Sequence, residues 1–156
     1  MKTATLYSIF LFIIIIGFLV WLIVTQIEEF KLQDDPKLRE LKERIKPLFS
    51  KNKYYNGILS SLNERDILSE ITLYKGDKSY TINKHKVFLC LKDENNKYYD
   101  DMMLTYVLLH EISHVLCNSI GHTEEFNDIF QALLDEASIM GIYNKEFEII
   151  QNYCQY

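Results

Sequence analysis

The chain has 156 residues, 48% hydrophobic and 25% charged, which excludes an intrinsically disordered polymer and leaves room for one domain plus an appendage. The formal net charge of −5 is unevenly spread: residues 52–156 carry nine Lys/Arg against sixteen Asp/Glu, a balance of −7, and residues 31–51 carry seven against four, a balance of +3. An acidic main body is ill suited to gripping phosphate backbones, so direct nucleic-acid binding is not expected.

The first distinct segment runs from Leu6 to Val24 as LYSIFLFIIIIGFLVWLIV, without a charge. As a helix it would span about 28 Å, close to the hydrocarbon thickness of a bilayer. A cleaved signal peptide would have an apolar core of about 7 to 15 residues and a small-residue cleavage site. Here the core continues through Trp21, Ile23 and Val24 to Gln26 and Glu28-Glu29, and no A-x-A pattern follows. The expectation is a retained single-pass anchor over residues 1–30, meeting the lipid bilayer through residues 6–27, with Tyr7 and Trp21 as interfacial residues. One basic side chain, Lys2, precedes the span, and Lys31, Lys37, Arg39, Lys42, Arg44, Lys46 and Lys51 follow it. That bias predicts a C-terminal domain facing the cytosol. The three cysteines, Cys90, Cys117 and Cys154, show no disulfide-framework spacing, and no N-x-[ST] acceptor occurs, which agrees.

Residues 31–51 read as a basic amphipathic juxtamembrane helix. Asp34-Asp35-Pro36 is a helix start, and Leu38, Leu41, Ile45, Leu48 and Phe49 recur at helical spacing until Pro47 kinks or ends it. Such a helix packs on the domain or lies on anionic head groups. The domain over residues 52–156 then opens with a short helix, Ile58 to Leu68. Strands follow at Ile71–Tyr74, Ser79–Asn83 and Lys86–Leu91, and a loop at 92–96. Asp100 and Asp101 cap an apolar helix, MMLTYVLLHEISHVLCNSI, ended by Gly121. Thr123 caps the next, from Glu124 to about Met140, and Asn144 a last one from Lys145 to about Tyr153. The predicted fold class is α+β: an N-terminal transmembrane helix, then a small domain whose short antiparallel or mixed sheet packs on an active-site helix.

The chemistry lies in His110-Glu111-Ile112-Ser113-His114. Histidines four apart on a helix share one face, so both imidazoles can reach one zinc ion at about 2.0–2.1 Å. Glu111, turned by about 100°, flanks the metal and can take a proton from metal-bound water as general base. With four His and thirteen Glu, a chance H-E-x-x-H arises in about one such chain per hundred, as a surface helix carrying two histidines. The apolar neighbours Tyr106, Val107, Leu108, Leu109, Ile112 and Val115 argue for a buried helix instead.

A catalytic site needs a third protein ligand. His122 stands eight residues past His114, after Gly121 and before the Thr123 cap, where a glycine turn would point it back at the ion. The run HEISHVLCNSIGHTEEFNDIFQALL resembles the WLM and SprT-like minimal zinc metallopeptidases over about Val87 to Gly141, through His110, Glu111, His114, His122 and Phe126. The resemblance implies a zincin fold with Zn2+ on the three histidines, Glu111 as the catalytic residue and Phe126 packed beneath the site. It also implies that KVFLCL, residues 86–91, forms the edge that holds the substrate. Thr123 stands where those relatives often have Gly or Asp, and neither the acidic domain nor the anchor fits their frequent DNA-crosslinked substrates. Glu136, 22 residues after His114, is a competing third ligand at near-gluzincin spacing, and otherwise a solvent-facing or supporting residue. His85 reads as an exposed polar residue; Cys117, three past His114, could bind zinc in principle but reads first as a small core residue. Tyr106, Tyr143 and Tyr153 are candidate oxyanion donors with nothing to choose among them.

The function expected is zinc-dependent hydrolysis of a protein or peptide laid extended along the edge strand. The alternative is a membrane-anchored structural or adaptor protein in which a closed four-ligand zinc site only staples the domain. Richness in Ile, Asn, Lys and Tyr fits an AT-rich genome; a large DNA virus is compatible, with a virion membrane as the corresponding location.

Overall fold

The computed structural model describes residues 2–50 and 57–154, and of residues 2–6 the backbone alone. The described chain separates between Asp34 and Asp35 into two compact units. The first is helix α1, Lys2–Gln33. From Tyr7 to Gln33 its apolar window has a mean hydropathy of 2.9 with none of it buried, so it is long and apolar enough to cross a membrane. Of the two rings expected at interfaces, Tyr7 stands at an end of this stretch. Trp21 lies near its middle, 5.8 Å from the Phe18 ring.

The second unit begins with a built cap. The Asp35 carboxylate accepts from Lys37 N at 2.9 Å and from the Tyr98 hydroxyl at 3.1 Å, and Pro36 opens α2, Pro36–Ile45. Pro47 cannot extend the α-helix, and the chain tightens into a 3-10 turn, Lys46–Phe49. Leu38, Leu41, Ile45, Leu48 and Phe49 are all buried in the core, so this segment packs on the domain and its apolar stripe is taken. Lys37 and Arg44 pair with Asp101. The expected boundary at 51/52 lies outside the described residues.

The single helix expected from Ile58 to Leu68 is instead a 3-10 segment, Gly57–Asn63, and one α-turn, α3, Ile67–Glu70. Its buried anchors explain the change: Leu59 and Leu62 are three apart, a spacing the 3-10 form stacks on one side. Three strands follow: β1 Thr72–Lys75, β2 Tyr80–Ile82 and β3 Lys86–Leu89. Their order is β1-β3-β2, with β3 parallel to β1 and antiparallel to β2. Lys86–Leu91, expected as the substrate-holding edge, is therefore the centre, and β2 is the edge beside the helix that carries His110 and His114. The β2–β3 turn explains why: Asn83 and Lys84 have φ of 51° and 59°, and His85 N bonds to Ile82 O at 3.1 Å, the left-handed hairpin turn that seats β2 directly on β3. Val87 and Leu89 point into the core, while Tyr74, Phe88 and Tyr80 stack across the three strands with centroids 4.8 and 4.7 Å apart.

Helix α4, Asp101–Leu116, is capped by Asp100, which accepts from Met102 N at 2.7 Å. It is buried along most of its length and packs on α5 and the sheet. Its buried hydroxyls turn back on the helix, Thr105 to Asp101 O at 2.7 Å and Ser113 to Leu109 O at 2.8 Å. The helix stops at Leu116, earlier than expected, because Cys117 turns extended and side chains from elsewhere take up the backbone groups of residues 117–119. Helix α5, Glu124–Ile139, has the expected Thr123 cap and ends at Gly141, φ +70°, in a Schellman turn with Ile142 N on Ala137 O at 2.8 Å.

The last expected helix, Lys145–Tyr153, does not form. Asn144 closes one turn, with Glu146 N on its Oδ1 at 3.0 Å, and the chain then docks Phe147, Ile149 and Tyr153 singly on the core. A covalent tie fixes its end: Cys90 and Cys154, 64 residues apart, form a disulfide, and Cys117 is free and buried. Nothing in the cysteine spacing announced this pair, since a single long-range bridge has no local signature.

Candidate metal centre

Helical pitch places His110 and His114 on one face of α4, half-buried, with ring centroids 5.1 Å apart. Past α4 the chain runs through Gly121, whose φ of +87° favours glycine, and brings His122 back over them. His122 Nε2 lies 3.0 Å from His110 Nε2, and one ligand nitrogen from each of the three histidines lies within 4.8 Å of the others. Nitrogens around a tetrahedral zinc stand about 3.3–3.4 Å apart, given bonds of about 2.0–2.1 Å, a spacing the His110–His122 pair comes close to. Phe126, on the first turns of α5, is the floor. Its ring is stacked under His114 at 4.3 Å and meets His110 and His122 edge-on at 4.9 and 4.8 Å.

Electrostatics suit a ligand set. Burial pushes the His110 imidazolium down to about 4, and the neighbouring His114 and His122 add to that. Burial and His122 lower His114 as well. Neutral rings keep lone pairs free for a metal. Glu111 is 4% exposed and faces β2, where the Thr81 hydroxyl donates to its Oε2 at 2.8 Å and to its backbone O at 3.1 Å. Burial raises its carboxyl to about 7 against the opposing pull of the Thr81 hydrogen bond.

A cleft of about 500 Å³ opens over these groups, with Tyr80, Thr81 and Lys84 on one side and Ser119, Ile120 and Gly121 on the other. The other sequence candidates stand apart. Glu136 and Cys117 are not in the histidine cluster, and the Cys117 Sγ donates to Glu125 Oε2 at 3.2 Å. The His85 Nδ1 is 3.3 Å from Glu70 O. Tyr106 packs on Phe130, and the Tyr153 hydroxyl bonds to Cys90 O. None of the three named tyrosines lines the cleft; Tyr80 does. Sequence reasoning missed Tyr80, Thr81, Lys84 and Glu125. Thr81 reaches Glu111 across 30 residues, a contact no local pattern encodes.

No family model matches the chain, and no solved structure matches it. Among its relatives, "Uncharacterized protein 136R" of Invertebrate iridescent virus 6 is 46% identical over 134 residues, 79% of this chain and 75% of that protein. "Uncharacterized protein 042R" of Invertebrate iridescent virus 3 is 43% identical over 99 residues, 63% of this chain and 62% of that one. "Uncharacterized protein R325" of Acanthamoeba polyphaga mimivirus is 29% identical over 116 residues, 70% of this chain. The chain spans about three fifths of the length of these last two, at 62% and 58%. With near half its residues shared across three quarters of a viral relative, the chain belongs to the family of iridescent-virus protein 136R.

Proposed function

We propose that the chain is a membrane-anchored zinc peptidase of the minimal zincin kind, with His110, His114 and His122 as ligands and Glu111 as general base. The observation that carries this reading is the convergence of three imidazoles beside a buried carboxyl that opens on a cleft. Zinc bound there would supply Lewis acidity, polarising a scissile carbonyl and making water a nucleophile near neutral pH. The chain's own groups do the rest. Glu111, with a carboxyl near 7, can accept a proton from the attacking water and return it to the leaving amine. Thr81 holds that carboxylate in one orientation, and Phe126 sets the planes of the three rings. The edge strand β2, which carries Thr81, offers backbone to an extended polypeptide lying over the cleft. A closed structural zinc site would need a fourth protein ligand; Cys117 and Glu136 both lie outside the described cluster, which supports the catalytic reading.

Helix α1 is the anchor in this proposal, single-pass, and the viral relatives make a virion membrane its natural setting. The basic residues after α1 favour insertion with the domain on the cytosolic side. Zinc content and peptidase activity of the full chain in detergent test the function. Wild type should hold about one zinc per chain and cleave unfolded polypeptide. Glu111→Gln should keep the zinc and lose at least a hundredfold in kcat, and equal activity in that variant would remove the mechanism.

A further inference from the structure

The loop joining α4 to α5 is gripped from two directions by side chains outside the cluster itself. From α5, the Glu125 carboxylate collects the loop's donors. Its Oε1 accepts from Asn118 N at 3.1 Å and Asn118 Nδ2 at 2.9 Å. Its Oε2 accepts from Ser119 N at 3.3 Å, Ser119 Oγ at 2.8 Å and Cys117 Sγ at 3.2 Å. From the β2–β3 turn, Lys84 Nζ donates to the outward carbonyls, Cys117 O and, at 3.2 Å, Asn118 O. Between Ser119 and the Thr123 cap of α5 the chain has little hold of its own: Ile120 is 96% exposed, and a Cβ on Gly121 would meet nothing within 4 Å. The next residue is His122.

We propose that Glu125 and Lys84 are positioning residues for His122, fixing the loop so that the third imidazole arrives at the other two already placed. The proposal rests on the reading that the three histidines take one zinc ion. With that loop unfixed, His122 would be held from the side of the Thr123 cap alone and would sample more ring positions, and ordering it would be charged against metal affinity. Clamping residues 117–119 fixes the chain on the other side as well, so that only Ile120, Gly121 and His122 itself span two fixed points. The two clasps are also matched in sign, an anion on N–H and hydroxyl donors and a cation on carbonyls, so neither can substitute for the other. Sequence separation hides the arrangement: Lys84 and Glu125 stand 33 and 8 residues from Cys117.

The test is zinc affinity of the full chain in detergent micelles, by competition with a chromophoric chelator, with circular dichroism confirming the fold. Wild type, Glu125→Gln, Lys84→Met, His122→Ala and the two double variants with His122→Ala are compared. Glu125→Gln and Lys84→Met should each weaken zinc by about 10- to 100-fold. In the His122→Ala background each should cost less than about twofold, because a residue that acts only through His122 has nothing left to position. Affinity within about twofold of wild type in both single variants overturns the proposal. So does an equal loss in both backgrounds, the mark of a merely structural role. If Glu125→Gln does not fold, Lys84→Met alone decides by the same criteria. Zinc affinity unchanged in His122→Ala would instead overturn the three-histidine reading, and the proposal with it.

Discussion

At Glu111 two influences oppose each other: burial lifts the carboxyl toward 7, and the Thr81 hydroxyl holds it down. Thr81→Val keeps the shape of the side chain and deletes the donor. The expected outcome is a fall in kcat of about tenfold or more, from losing a hydrogen bond of about 1.5–3 kcal/mol to a charged group, with zinc content unchanged. Zinc loss in that variant would mean Thr81 supports the fold of the site, not its base. Phe126 is a different kind of residue, 1% exposed and in ring contact with all three histidines. Phe126→Ala should lower the unfolding free energy by about 3–5 kcal/mol in urea and loosen zinc as well. The convergence of His110, His114 and His122 was legible from sequence because its geometry is local: a four-residue helical step, then a glycine turn. Phe126 came only with the family resemblance. Thr81, Lys84 and Glu125 were invisible, since each acts through a contact between elements that composition and spacing do not join.

Helix α2 is held to α4 by a small ionic junction as well as by its apolar stripe. Lys37 and Arg44 both approach Asp101, whose carboxyl is held below its ordinary 3.8 by the Lys37 hydrogen bond first and by the charge of Arg44 beside it. A carboxylate depressed in the folded state stabilises the fold fully above its unfolded value, and that contribution drains away as pH falls through the lower folded value. Urea midpoints measured from pH 6 down to pH 2.5 should therefore drop more steeply for wild type than for Asp101→Asn (the interval brackets the usual carboxylate range). Parallel slopes would show that the junction contributes nothing. Among the elements, the helices with strong caps matched their expected starts: Asp35, Asp100 and Thr123 each close a first turn. The strands matched in position and the mixed sheet was among the expectations, but residues 86–91, expected as the edge, form the centre, because a parallel β1–β3 pairing that skips β2 leaves no trace in alternation. The last helix failed because Phe147, Ile149 and Tyr153 are drawn to separate places on the core, a tertiary demand stronger than local periodicity.

On the scale of the whole molecule, basic residues past α1 favour a cytosolic domain, and a disulfide favours an oxidising compartment. A thiol count separates the two influences. Denatured without reductant, protein from its native source should show one reactive thiol, Cys117, and after reduction three. Three thiols at the outset would mean that the Cys90–Cys154 bond does not form where the protein resides. The bond also has a topological consequence. Cys90 and Cys154 close a ring of chain that contains His110, Glu111, His114, His122 and Glu125, whereas Thr81 and Lys84 lie on the thread that enters it. Closing a 64-residue loop restricts the unfolded chain by about 4 kcal/mol on the chain-entropy account. A single cut inside the ring, including one at the exposed 118–121 segment, yields two pieces that cannot drift apart. A protein so built can be nicked in the loop before His122 and still keep all three histidines on one covalent body.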